Sequence, residues 1–305
     1  MSVTMKENFG ALKSRTMYSL DNTDLKEVGE ILGNIEGATL VVGSGGSAVV
    51  AKFLAKVLSA KNGIIAEYTE LRDLKYRDLK NYKNIVTCSY SGKSYGVEVA
   101  FNNSLNHYLL TAGKIDKGTS IKYEINEKER SFISLSATLI PLSIVLAYYL
   151  GNTTPIKEII SKERRFSTKP SSVYEIFSGY ESATASRFLD STMTESGIAI
   201  PLIHDKYDFC HGRSTTGYVT IKKHGMILFD SDTELDKLLL EELKEYYSEV
   251  IRLRKMFEDT IVNDFYLTYS CMYLCRHLAL QKGMDLSQVN HSPAVKKFYR
   301  FGGEI

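Results

Sequence analysis

Two short stretches order glycine and hydroxyl residues as an anion site would need them: Gly43-Ser44-Gly45-Gly46-Ser47 and Ser89-Tyr90-Ser91-Gly92-Lys93-Ser94. Each follows an apolar run that reads as a strand, residues 38–42 and 84–88, and each precedes a stretch that reads as a helix. A helix start exposes unpaired N–H groups and carries partial positive charge. Glycine lets backbone amides come close to an anion, and serine hydroxyls add donors. Any one of these serines also suits an ordinary N-cap. Two such turns about 45 residues apart can meet at the C-terminal edge of one parallel sheet and form a phosphate pocket that needs no metal. Gly45, Gly46, Ser47, Ser89, Ser91 and Ser94 are the candidate phosphate-binding residues.

Other chemistry-bearing residues are more scattered. Arg130, just ahead of a long helical stretch, is placed either to neutralise a phosphate or an oxyanion or to form a surface salt bridge. The cysteines are Cys88, Cys210, Cys271 and Cys275, with no CxxC pair and no zinc-type spacing; buried free thiols are expected. His107, His204, His224, His277 and His291 lack a motif and read as structural or surface residues, with His291 near two C-terminal lysines. Neither G-x-x-x-x-G-K-[ST] nor a full G-x-G-x-x-G occurs, which argues against a nucleotide-binding protein.

The elements that must position these groups alternate along the chain. Strands are expected at 38–42, 64–68, 84–88 and 108–111. Helices are expected from Thr23 to Leu32, capped by Asn22 or Thr23, then from Ser47 to Ala60, Leu71 to Leu79, Ser94 to Ser104 and Ser134 to Tyr149. Residues 151–170, with turn formers and charge, read as a linker holding at most a short helix. The plan then repeats less faithfully: strands at 172–177, 198–202 and 226–229, and helices from Glu181 to Glu195, Thr233 to Met256 and Thr268 to Lys282. Alternation of this kind means parallel sheets covered on both faces. Two domains follow, 1–155 and 156–305.

The composition is that of an ordinary globular protein, with 44% hydrophobic and 24% charged residues in 305. A net charge of +2 without a Lys/Arg block gives no nucleic-acid surface. Residues 1–15 lack the apolar core of a signal peptide. The apolar run from Leu139 to Leu150, interrupted by Pro141 and Ser143, is too short to span a bilayer. A cytoplasmic location without membrane attachment is expected.

The two glycine-serine turns resemble those of the sugar isomerase (SIS) domain family. The first matches its glycine-serine turn. The second matches its Ser-x-Ser-Gly-x-Thr phosphate loop, with Ser94 keeping the hydroxyl of the usual Thr. The resemblance implies two SIS-type subdomains, each a three-layer α/β/α sandwich around a parallel sheet. Further along, Glu195 ends a helix and His211 follows sixteen residues later in Tyr207-Asp208-Phe209-Cys210-His211-Gly212. Double-SIS phosphosugar isomerases place a Glu and a His at a similar spacing. The resemblance implies that Glu195 moves a proton between C1 and C2 and that His211 assists ring opening. The usual His-Gly-Pro stands here as His211-Gly212-Arg213. A C-terminal lysine of these enzymes is matched by Lys296 or Lys297.

This chemistry is coherent. Aldose–ketose isomerisation needs one base that takes a proton from one carbon and returns it to the next, and partial burial raises a carboxylate's pKa toward that task. A histidine titrates in the range suited to ring opening, and Lys or Arg can stabilise an enediolate oxygen. The expected activity is a phosphosugar aldose–ketose isomerase with no metal and no cofactor and a sugar phosphate as ligand; the resemblance further implies a homodimer. The alternatives are an amino-sugar-phosphate deaminase using the same residues and a binding-only sensor of a phosphosugar or nucleotide sugar. An ammonia-channelling synthase is not expected, since Met1-Ser2-Val3 offers no N-terminal cysteine.

Overall fold

The structure, a computed structural model, describes residues 4–93, 95–113, 118–220 and 222–288. It divides into two compact units, with the second running from Lys162 to Leu286 and the chain rejoining the first at Ser287.

The first unit opens with two helices, α1 (Met5–Asn22) and α2 (Leu25–Gly33). Met5, Phe9, Leu12, Thr16 and Leu20 form the buried stripe of α1 at helical spacing. Thr4 and Glu7 close a reciprocal capping box at its start. α1 gives little signal in the sequence because its apolar residues are diluted by charge. The cap of α2 differs from the expected Asn22 or Thr23. Asn22 ends α1, and the Asp24 carboxylate caps α2 by accepting from Lys26 N and Glu27 N at 3.1 and 3.0 Å.

Five parallel strands follow: β1 (Thr39–Gly43), β2 (Ala66–Glu70), β3 (Asn84–Cys88), β4 (Asn106–Thr111) and β5 (Thr119–Lys122). Their order across the sheet is β2-β1-β3-β4-β5. β1 and β3 are buried along their whole length, as central parallel strands should be. β5 was not foreseen: it is a short edge strand whose one buried residue, Ile121, is too weak a signal.

Helix α3 (Gly46–Asn62) links β1 to β2 and packs on β1, β2 and α5 (Ser136–Leu150). On the other face Leu40, Val42 and Ile85 pack with Leu71, Leu74 and Ala100. Leu71–Tyr76 and Leu79–Asn81 are 3₁₀ turns where a longer helix was expected. Helix α4 (Tyr95–Ala100) is shorter than its expected span. The expected linker contains α6 (Thr154–Ser161), which packs through Ile156, Ile159 and Ile160 within the first unit.

The second unit holds β6 (Val173–Ser178), α7 (Ala183–Ser196), β7 (Ile200–Asp205), α8 (Thr215–Val219), β8 (Gly225–Asp230), α9 (Glu234–Leu243), β9 (Glu249–Arg254) and α10 (Thr260–Gln281). Its four parallel strands run in the order β7-β6-β8-β9, the same connection pattern as β2-β1-β3-β4. The expected long helix from Thr233 to Met256 is corrected here. It stops at Leu243, and residues 249–254 form β9, burying Ile251 and Leu253 and exposing Arg252 and Arg254. That period-two alternation is a strand signal, masked by the helical spacing upstream.

Candidate phosphate site and surrounding groups

In the first sheet β1 leads by α3 to β2 on one side, while β3 leads by α4 to β4 on the other. The chain therefore reverses direction between β1 and β3. Crevices at such a point, beyond the C-terminal ends of the strands, are the usual ligand sites of open α/β sheets. Both glycine-serine turns sit there, since β1 and β3 are hydrogen-bonded neighbours with Val42 beside Thr87.

The first turn is shaped by glycine. A β-carbon on Gly43 would fall 2.4 Å from the Ser47 carbonyl oxygen, so no larger residue permits the return of the chain. Gly45, the N-cap of α3, has φ +57°, a conformation that favours glycine. Having no side chain, it leaves the start of α3 uncapped. Ser44, Gly45 and Gly46 are exposed and Ser47 is half-buried. The hydroxyls of Ser44 and Ser47 have no partner among the described residues.

The second turn is braced from within. Buried Ser89 accepts from Gly92 N through its hydroxyl at 3.2 Å, and Ser91 Oγ accepts from Lys93 N at 3.3 Å. The end of β4 supports it: Thr111 Oγ1 and Ala112 N donate to the Tyr90 carbonyl. Ser91 is exposed. α4 is six residues long, so this turn offers hydroxyls and loop amides rather than a developed helix dipole. The two turns approach each other: Ser44 Oγ lies 3.7 Å from the position a β-carbon on Gly96 would take in α4. Ser94 lies outside the described residues.

Arg130 is exposed and lines a cavity of about 330 Å³ with Arg15, Glu127 and Lys128. Arg15 is committed to Glu127 at 2.8 Å. Lys128 and Arg130 have no ion-pair partner among the described residues, leaving this cavity a surplus of positive charge. Arg130 is a candidate from the sequence, whereas no motif marks Arg15 or Lys128. The Tyr90 side chain connects this region to the second turn. Burial, together with the nearby Glu129 carboxylate, holds its phenol above the ordinary pKa, while Arg15 pulls the other way. The buried Tyr90 hydroxyl has no hydrogen-bond partner among the described residues.

The corresponding crevice of the second unit, between β6 and β8, is filled instead. The Lys206 ammonium, almost fully buried, lies 2.8 Å from Asp236 and 3.0 Å from Glu181. Ser231 Oγ donates to Glu181, and Arg252 pairs with Asp230. Burial alone would raise the pKa of Glu181 and Asp236, but Lys206 and the surrounding hydrogen bonds hold both below the ordinary range. An acidic crevice closed by its own lysine does not suit phosphate, so of the two crevices only that of the first unit keeps groups that suit an anion.

Glu195 and His211 both lie in the second unit. Glu195 is in the last turn of α7, which runs back from the end of β6 to the start of β7. His211 follows β7, just after the 3₁₀ turn Asp208–Cys210, and is exposed. The six residues of β7, at roughly 3.3 Å each, set the two at opposite edges of the sheet. The unit does not bring them together. Glu195 is exposed by area, yet neighbouring protein crowds water from its carboxyl and raises its pKa. The exposure limits that effect, so the direction matters more than its size. Lys296 and Lys297 lie outside the described residues, as does His291.

The remaining histidines and cysteines are structural where described. His204 and His224 flank the fully buried Glu175 at 3.2 and 2.9 Å, and Tyr247 donates to it at 3.0 Å. Burial would raise the Glu175 pKa, but these three partners hold it below the ordinary value. His277 Nε2 meets the Thr168 backbone, and His107 Nε2 meets the Asn103 carbonyl. Cys88, Cys271 and Cys275 are buried free thiols, and burial pushes the Cys275 thiol up to about 12. The Cys210 side chain lies outside the described set. Among the described residues no group of three or more His, Cys, Asp or Glu is placed to hold a metal ion, and no helix is long and apolar enough to cross a membrane.

By sequence, no family model and no curated protein matches the chain. By fold, solved structures match over nearly its whole length. A glucosamine-6-phosphate deaminase from Thermotoga maritima aligns over 94% of this chain and 97% of its own, with TM-score 0.71 and 14% identity. A tagatose-6-phosphate ketose/aldose isomerase from Escherichia coli aligns over 95% and 96%, with TM-score 0.69 and 16% identity. The C-terminal domain of a glucosamine-fructose-6-phosphate aminotransferase from Francisella tularensis aligns over 93% and 96%, with TM-score 0.67 and 14% identity. The chain thus has the two-sheet α/β fold of SIS-type proteins, as the two turns implied.

Proposed function

We propose that the chain is a phosphosugar aldose–ketose isomerase. The observation that carries this reading is the placement of two glycine-serine turns next to each other at the reversal point of the first sheet. A phosphate there anchors the substrate through groups that need no cofactor. Fold neighbours that act on sugar phosphates add support.

In this reading Glu195 is the base that shuttles a proton between C1 and C2. Its raised pKa suits a carboxylate that must accept a proton and give it back. His211 opens the sugar ring. Arg130, with Lys296 or Lys297, stabilises the enediolate oxygen. Because Glu195 and His211 occupy opposite edges of one sheet, a single reaction uses both only if they come from two copies of the chain, which fits the expected homodimer.

The test is turnover by the purified protein of glucose 6-phosphate, mannose 6-phosphate and fructose 6-phosphate, followed by interconversion of aldose and ketose. Glucosamine 6-phosphate is run alongside with ammonia detection, since the deaminase fold neighbour makes that outcome a specific alternative. Ammonia release would replace the isomerase reading with deamination. A raised Tm with these ligands and no turnover would leave a binding protein.

A further inference from the structure

The start of α5 is capped from a distance. Its N-cap position is Leu135, whose side chain accepts no hydrogen bond. The carboxylate of Glu129 serves instead: it accepts from Ser136 N at 2.6 Å, from Leu135 N at 3.3 Å and from Ser134 Oγ at 3.3 Å. Glu129 is 5% exposed, so these bonds are shielded from water. An anion at a helix N-terminus is favoured by the dipole as well as by the orphan amides.

What α5 touches gives this cap its importance. Thr138, in the first turn of α5, is buried, and its Oγ1 lies 3.0 Å from where a β-carbon on Gly46 would sit. The start of α5 therefore backs the first phosphate turn. Glu129 is also the chain neighbour of Arg130 and lies near Tyr90 in the second turn. One buried carboxylate thus fixes the start of α5, which backs the first turn through Thr138, next to the loop that presents Arg130.

We infer that Glu129 is a positioning residue of the phosphate site, fixing the Arg130 loop and the first turn of α5 against the two glycine-serine turns. This rests on the proposed phosphosugar function. It acts through other groups and need not touch the ligand. Gln keeps one acceptor oxygen but turns an amide N–H₂ toward backbone donors. Ala removes the cap.

The experiment compares the wild type, Glu129→Gln, Glu129→Ala, Arg130→Ala and the double variant Glu129→Ala/Arg130→Ala. Tyr148→Phe, which removes a hydrogen bond to Asn62 at the far end of α3, is the control for lost stability alone. Fructose 6-phosphate affinity is read by calorimetry. Hydrogen exchange is read in residues 44–47 and 89–93. Glu129→Ala is expected to weaken fructose 6-phosphate roughly tenfold and to speed exchange in both turns, with Glu129→Gln in between. The double variant is expected to lose little more than Arg130→Ala, because coupled residues do not add. Tyr148→Phe should change neither readout. Wild-type affinity and unchanged turn exchange in Glu129→Gln would overturn the inference, and so would losses matched by Tyr148→Phe. If Glu129→Ala does not fold, Glu129→Gln decides. If the wild type binds no sugar phosphate, the functional reading fails, and the exchange of the two turns still decides the role of Glu129.

Discussion

Gly43 and Ser47 are in backbone contact: the space a β-carbon on Gly43 would need is occupied by the Ser47 carbonyl, 2.4 Å away. The turn that presents Gly45, Gly46 and Ser47 closes only around a residue without a side chain. Gly43→Ala is therefore expected to cost at least about 2 kcal/mol of stability, as forced overpacking does, and to abolish sugar-phosphate binding. Gly45→Ala meets nothing within 4 Å and pays only for its positive φ, about 1–2 kcal/mol. Denaturant melts of both variants check the order.

The serines should act on binding before chemistry. Ser89→Ala removes the hydroxyl acceptor of Gly92 N, leaving it only the Ser89 carbonyl, and loosens the second turn. An increase in KM of roughly tenfold, with kcat within a few-fold, corresponds to the loss of one hydrogen bond to a charged group. Steady-state kinetics of Ser89→Ala and Ser47→Ala provide the check; a fall in kcat at unchanged KM would contradict an anchoring role.

Glu195→Gln is expected to bind fructose 6-phosphate within threefold of wild type and to lose turnover by about 10²–10⁴, the span of a missing general base. Burial raises the Glu195 pKa, so activity should rise with pH through a midpoint above the ordinary glutamate value of about 4.3. Mixing inactive Glu195→Gln with inactive His211→Ala should restore part of the activity if the two residues meet across two copies. No recovery after subunit exchange would place both in one copy or remove one from the reaction.

Acid stability should depend on Glu175. Its folded-state pKa is depressed by His204, His224 and Tyr247 against the opposing effect of burial. A depressed carboxylate stabilises the fold above its unfolded pKa of about 4.3, and that stabilisation is lost as pH falls through the folded value. Melting temperatures of the wild type and Glu175→Gln between pH 7 and pH 3 should differ most at the upper end and converge in acid.

Lys206 sits between the Glu181 and Asp236 carboxylates, and among the described residues no other cation pairs with either. Lys206→Met leaves Asp236, fully buried, and Glu181 facing each other. Breaking a buried ion pair on one side costs about 3–5 kcal/mol. Chemical denaturation measures it, and a loss under 1 kcal/mol would mean that water replaces the lysine.

The residue order by itself determined the alternating α/β plan and both glycine-serine turns, because a strand–glycine–serine–helix sequence has local physics: an apolar run, a backbone that needs glycine, and hydroxyls at a helix start. It did not reveal α1, whose apolar stripe is interrupted by charge, nor β9, where a period-two pattern follows directly on a helical one. Tertiary structure decided everything that depends on distant contacts. Hydrogen bonding of β1 beside β3 brought the two turns together. Glu129 became the cap of α5, and Lys206 closed the second crevice. The same chain separation that made Glu195 and His211 look like a pair, sixteen residues, was taken up by a whole strand, which set them at opposite edges of one sheet.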